Sequence, residues 1–322
     1  MSRVPARRAF LALLSLAAVL PVRAQTGKPI RLLVPFPPGG ATDITARVIA
    51  EPLARLLGAP VIVENRAGAG GSLGMAEAAR AAPDGTTLAM ATLSTHGVNP
   101  AVYRKLPYDP VQDFVAVTEL VRAPGVLVTY PSLPPRDLAQ FIAYLKANPG
   151  KLNYGSPGNG TIGHMWGELF KSSTGTAMTH VAYKGAADAL RDTMAGNVQA
   201  SFDQVASSLP HVQAGKLRAL AVSSDKRLEM LPDVPTFREA GLPSNNDASW
   251  FGLVAPAGTP PQVVARVQAA AATAVREPAI AARLLELGLF PSGSTPQAFA
   301  AQIRDEIAKM KKVAEFARIT LD

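Results

Sequence analysis

Apolar and polar positions along this chain follow a repeating cadence of short strand and amphipathic helix. Ile30–Pro35 (IRLLVP) is a compact apolar run, followed by Ala41–Leu57, where Ile44, Val48, Leu53 and Leu56 fall on one helical face. This predicts a strand, a Gly-rich loop and a helix. The cadence returns with Val61–Glu64 as strand and Ser72–Ala81 as helix, then with Thr87–Thr92 as a strand running into Leu93–His96. Strands alternating with helices imply an α/β fold, a mainly parallel sheet with helices on both faces.

After the turn-rich stretch Leu106–Pro110, the apolar runs Phe114–Leu120 and Gly125–Thr129 read as a crossing into a second lobe. The pattern repeats there as helix Arg136–Ala147, strand Leu152–Gly155, loop Ser156–Gly160, helix Thr161–Ser172 and strand His180–Ala182. Helix Ala186–Met194, strand Gln199–Phe202 and helix Val205–Ala214 follow. Strand Leu217–Ser223 is expected to return to the first lobe, which Trp250–Ala255 and the helices Gln262–Arg276, Ile280–Leu287 and Pro296–Ala317 complete. The expected division is a discontinuous lobe 1 (residues 25–121 and 222–322) and a lobe 2 (residues 122–221), hinged by strands rather than strung on a tether.

The N-terminus changes the picture of where the chain works. Arg3, Arg7 and Arg8 precede an apolar run from Ala9 to Leu20, then Val22-Arg23-Ala24 before Gln25. That is the layout of a signal peptide cut after Ala24, which implies a periplasmic protein. Its Arg7-Arg8 pair lacks the flanks of a full twin-arginine signal, so the export route stays open. Removing residues 1–24 takes away four arginines and no acid, lowering the formal charge from +8 to about +4. The remaining cations are scattered and no aromatics alternate with them, which argues against nucleic-acid binding. With no cysteine there is no disulfide framework, and a core of this size needs none.

Two loops carry the candidate chemistry. Val34–Asp43 (VPFPPGGATD) stiffens the chain with prolines and brings Gly39 and Gly40 to the start of a helix, whose free N–H groups and positive dipole end suit an anion. The plain alternative is an ordinary turn with Thr42 or Asp43 as N-cap. Tyr154–Thr161 (YGSPGNGT) is its counterpart in the second lobe, again between strand and helix, with Ser156, Asn159 and Thr161 as side-chain donors around Gly158 and Gly160. One such loop at the strand edge of each lobe describes a cleft facing one anion. Asp203 and Tyr183-Lys184-Gly185 are expected at its mouth, Asp203 either accepting from a ligand or a water or capping the next helix.

Other motifs are weaker. The histidines His96, His164, His180 and His211 are far apart and show no metal-binding spacing, so neither metal nor cofactor is expected. Gly68–Gly74 (GAGGSLG) departs from the dinucleotide fingerprint. It also contains a formal GxSxG with Ser72 as nucleophile, the basis of an alternative hydrolase reading, yet Asn65–Gly70 separates it from the preceding strand.

Taken in order, VPFPPGGATD at Val34, ENRAGAGGSLG at Glu64, NPAVYRKLPYDPVQDF at Asn99, LNYGSPGNGT at Leu152, HVAYKG at His180, LPDVPTFREAGLP at Leu231 and APAGTPPQVV at Ala255 resemble the Bug-type (TctC-like) substrate-binding proteins of tripartite tricarboxylate transporters. The resemblance implies a two-lobed Venus-flytrap fold that performs no chemistry. It would capture a small organic carboxylate, close, and deliver it as a monomer to membrane permease subunits; a sensory module for a membrane kinase is the alternative partner arrangement. Carried over by position, the ligand contacts would be Phe36, Pro38, Gly39, Gly40 and Thr42 on one side and Ser156, Gly158, Asn159, Gly160 and Thr161 on the other. Ser94, Thr95 and His96 would lie beside them, with Asp203 below. Relatives often carry a Trp where this chain has Lys309-Met310-Lys311.

Overall fold

The computed structural model describes residues 27–322, and the expected signal peptide lies outside them. The chain runs β1 (Ile30–Val34), α1 (Ala41–Leu57), β2 (Val61–Asn65), α2 (Ser72–Ala79), β3 (Thr87–Thr92), α3 (Asn99–Val102) and β4 (Phe114–Ala123). It continues as β5 (Gly125–Thr129), α4 (Leu138–Ala147), β6 (Asn153–Ser156), α5 (Ile162–Thr174), β7 (Thr179–Ala182), α6 (Ala186–Met194), β8 (Ala200–Gln204), α7 (Val205–Gln213) and β9 (Arg218–Ser223). Last come β10 (Ser249–Pro256), α8 (Pro261–Arg276), α9 (Pro278–Glu286), β11 (Phe290–Pro291) and α10 (Pro296–Ala317). Two sheets form, a six-stranded one in the order β11-β4-β10-β3-β1-β2 and a five-stranded one in the order β7-β6-β8-β5-β9.

Both sheets are mixed, and the crossings explain why. Strands β1, β2 and β3 are mutually parallel, as are β6, β7 and β8, so each group sends its C-terminal ends toward the cleft. A strand that enters from the other lobe must start at that edge and run back from it. Accordingly β5 is antiparallel to β8, and β10 is antiparallel to β3 and β4. Strand β9 differs from expectation: it pairs antiparallel with β5 in the five-stranded sheet, with Val222 opposite Val126 and Ser223 opposite Gly125. It therefore runs toward the cleft, and the return crossing lies in residues 224–248 rather than at residue 222.

The first core packs on β3 and β10, every residue of which is buried. Helix α10 seals it: Phe299 meets Trp250 edge-on at 5.2 Å, and a Cβ at Gly252 would stand 2.2 Å from the Phe299 ring. The same helix also touches α5 of the other lobe and the π-helical turn Ser94–Val98 that follows β3, so one element braces both halves beside the cleft. No described helix is long and apolar enough to cross a membrane.

Candidate ligand-binding cleft

Strand β1 delivers the loop Pro35–Gly40 to the start of α1. Gly40 is the N-cap and no side chain caps the helix, so the buried amides of Ala41, Thr42 and Asp43 keep their hydrogen-bonding capacity. Asp43 is neither the N-cap nor free. Its carboxylate accepts from Gly39 N at 3.0 Å, Asn65 Nδ2 at 2.9 Å and Arg47 Nε at 3.0 Å, while Asn65 Nδ2 also reaches Phe36 O at 2.9 Å. Burial alone would raise the Asp43 pKa, but the hydrogen bonds from Arg47, Asn65 and Gly39 outweigh it and hold the acid below the usual carboxylate value.

The second loop spends most of its donors on itself. Gly158 N donates to Ser156 Oγ at 3.2 Å, Gly160 N to His164 Nδ1 at 3.4 Å and Thr161 N to Gly158 O at 3.3 Å. Thr161 caps α5: its hydroxyl accepts from His164 N and donates to Gly158 O at 2.7 Å, so it has no proton left for a ligand. The Asn159 N–H is the one backbone donor of the Gly158–Thr161 turn without an intramolecular acceptor among the described residues.

A third helix start, expected from the sequence only as part of the cleft mouth, completes the cradle. Gly185 is the N-cap of α6, again with no side-chain cap. It lies so close to the first loop that a Cβ on it would meet Pro37 at 2.9 Å, and Cβ atoms on Gly39 and Gly40 would lie 3.6 Å from Ala187 and Ala186. The signal was present, because His180–Gly185 leads from strand through glycine into helix like the other two loops.

These helix starts enclose an inner chamber of about 20 Å³, room for about one water. Phe36, Gly40, Thr42, Ser94 and Thr161 line it together with Ala41, Ile162, Ala186, Gln204 and Phe251, and no charged side chain is among its walls. An outer chamber of about 690 Å³ holds Gly158, Asn159, Gly68–Gly71, Tyr103 and Lys184. Phe36 and Pro157 belong to both and divide them. The lobes touch across this cleft: Ser94 Oγ accepts from Ile162 N at 2.9 Å, and Tyr103 OH donates to Asn159 O at 3.1 Å.

The other expected residues stand elsewhere. Pro38 and Gly39 are exposed beside the chambers, Ser156 and Gly160 support the loop from inside, and Thr95 hydrogen-bonds back to Thr92. His96 is fully buried against Phe114 at 5.2 Å, and that burial holds its pKa at about 3. Asp203 is also buried outside both chambers. It accepts from Ser207 at 2.5 Å and Ser208 at 2.8 Å, with its pKa raised by burial, and it does not cap α7, whose N-cap is Gln204. Ser72 heads α2 behind a 3-10 turn, with no histidine or acid hydrogen-bonded to it among the described residues. No group of three or more metal-ligand side chains comes together among the described residues.

Known proteins share this fold. A Rhodopseudomonas palustris protein solved with adipate is 38% identical, at a TM-score of 0.89 over 92% of this chain and 99% of its own. The periplasmic binding protein BugD is 30% identical, at a TM-score of 0.88 over 91% and 98%. MatC from Rhodopseudomonas palustris, solved with bound malate, is 35% identical at a TM-score of 0.86 over 89% and 99%. The profile of the tripartite tricarboxylate transporter family receptors, TctC, matches residues 45–318, and the chain belongs to that family of Bug-type binding proteins.

Proposed function

We propose that this protein captures a small organic carboxylate, with linear dicarboxylates foremost, in the interlobe cleft and delivers it to the permease of a tripartite tricarboxylate transporter. The observation that carries the reading is the convergence of three helix N-termini on one chamber with no charged side chain in its walls. Backbone N–H groups and helix dipoles are what such a chamber offers, and a carboxylate is the common small ligand they satisfy. The relatives solved with adipate and malate support the same class. The inner chamber holds too little space for a carboxylate to pass Phe36 in this arrangement, so entry requires the lobes to part and binding draws them together. Export with cleavage after Ala24 would deliver the mature chain to the periplasm, where BugD works. Thermal-shift and calorimetric titrations with adipate, malate and dimethyl adipate test the reading. The free acids are expected to bind and the neutral diester to fail; a diester that binds as well as adipate overturns it.

A further inference from the structure

Two histidines that the ligand reading does not use lie directly beneath the second loop. His180 stands on β7 opposite Tyr154 of β6, and this register stacks its ring on the phenol at 4.9 Å and 27°. His164, in the first turn of α5, stacks on His180 at 4.2 Å and 13°. Each ring also touches the loop: His180 Nε2 lies 2.6 Å from Ser156 Oγ, and His164 Nδ1 accepts from Gly160 N at 3.4 Å.

Counting protons and contact lengths points to one pair of tautomers. A ring nitrogen that accepts a hydrogen bond carries no proton. His164 Nδ1 faces an N–H and is therefore bare, which puts its proton on Nε2. Ser156 Oγ accepts from Gly158 N, and its single proton chooses between Gly158 O at 3.2 Å and His180 Nε2 at 2.6 Å. With the Ser156 proton on the shorter contact, His180 Nε2 is bare as well. Both rings are then neutral, as their surroundings favour. Burial, then the neighbouring His164 and Lys171, push His180 down to about 3, and burial lowers His164 although Glu168 pulls the other way. Glu168 is itself occupied, by Lys171 at 2.7 Å and by the Tyr154 hydroxyl at 2.6 Å.

The consequence reaches the cleft. The pair secures the amides of Gly158, through Ser156, and of Gly160 directly, and these flank the unpartnered amide of Asn159 in the outer chamber wall. Resting on the carboxylate reading above, we propose that the neutral His164–His180 stack is the positioning element of this loop: it holds the amides of Gly158 and Gly160, one residue to either side of Asn159, so that the Asn159 N–H is presented to the anionic ligand.

The test uses the ¹⁵N-labelled mature protein at pH 7. Imidazole ¹⁵N spectra of the ligand-free protein are expected to show a bare Nδ1 on His164 and a bare Nε2 on His180. His180→Leu should speed hydrogen exchange at Gly158 and Gly160 at least tenfold while leaving Phe170, deeper in α5, unchanged; His180→Gln, which keeps an acceptor, should stay near wild type. Adipate affinity should fall about tenfold in His180→Leu, stay within threefold in His180→Gln, and show no further loss when His180→Leu is added to Ser156→Ala. Reversed tautomers, unchanged exchange at the two glycines, or additive losses in the double variant overturn the proposal. Should His180→Leu not fold, the wild-type tautomers and the Gln variant decide it. If neither adipate nor malate binds the wild type, the dicarboxylate reading falls, while the spectra and exchange rates still judge the loop.

Discussion

Gly70→Ala should weaken ligand binding by blocking closure while sparing the binding loops themselves. Gly70 sits at φ +62°, where an L side chain costs roughly 1–2 kcal/mol. That strain is shared by open and closed lobes, so it lowers stability without touching affinity. The second effect is specific to closure: a Cβ at Gly70 would lie 2.4 Å from the backbone oxygen of Asn159 in the opposite lobe. Relieving such an overlap against backbone costs about 1–3 kcal/mol. At 1.4 kcal/mol per decade this weakens a ligand that needs the closed form by roughly 5- to 150-fold. Gly150→Ala is the control, because Gly150 shares a positive φ of +71° but has nothing within 4 Å of its added Cβ. Calorimetry with adipate should find only Gly70→Ala impaired, although both variants melt earlier. Small-angle scattering should find Gly70→Ala less compact at saturating adipate. Equal affinities for the two variants would refute the claim that this contact belongs to the liganded state.

Tyr103→Phe removes the hydroxyl that reaches Asn159 O across the cleft, and adipate should bind about 2- to 13-fold more weakly, the worth of one neutral hydrogen bond, as calorimetry would show. Thr161→Ala should lower thermal stability by about 1 kcal/mol through the lost cap of α5, whereas Thr161→Ser should retain it in the same melting assay. Asp43 has a folded pKa below its ordinary 3.8, so its stabilisation is present above that pH and is lost as pH falls through the lower folded value. Denaturant titrations from pH 7 to pH 2 should therefore find Asp43→Asn less stable at neutral pH and converging with wild type in acid. N-terminal sequencing of protein released from the periplasm should begin at Gln25.

Much of the fold was legible because strand and helix periods differ clearly in this chain. Runs such as Thr87–Thr92 are uninterrupted and buried, and Pro, Gly and Thr mark nearly every helix start. The destination of β9 was not legible, because its apolar run suits an edge strand in either sheet; only pairing with β5 decides it. At the cleft, sequence order located both glycine loops but not which hydrogens they had already spent. Thr161 and Gly160 resemble donors to a ligand until His164 and Gly158 are seen to occupy them. His96 follows β3 and Asp203 lies near the end of β8, yet their side chains are buried outside the chambers. The start of α6 was placed at the mouth of the cleft but not read as a third set of helix-start amides, because its packing against Pro37 of the other lobe leaves no local pattern.

The most direct measurement is a crystal structure of the mature protein grown with adipate and with malate. The expected density has one carboxylate in an enlarged inner chamber, within hydrogen-bond distance of first-turn amides of α1 and α6, directly or through one water, with no side-chain cation touching it. The ligand body should pass Phe36 toward Asn159 N. Density that pairs this carboxylate with Lys184 or an arginine, or that leaves the inner chamber unchanged while ligand binds elsewhere, contradicts the amide cradle.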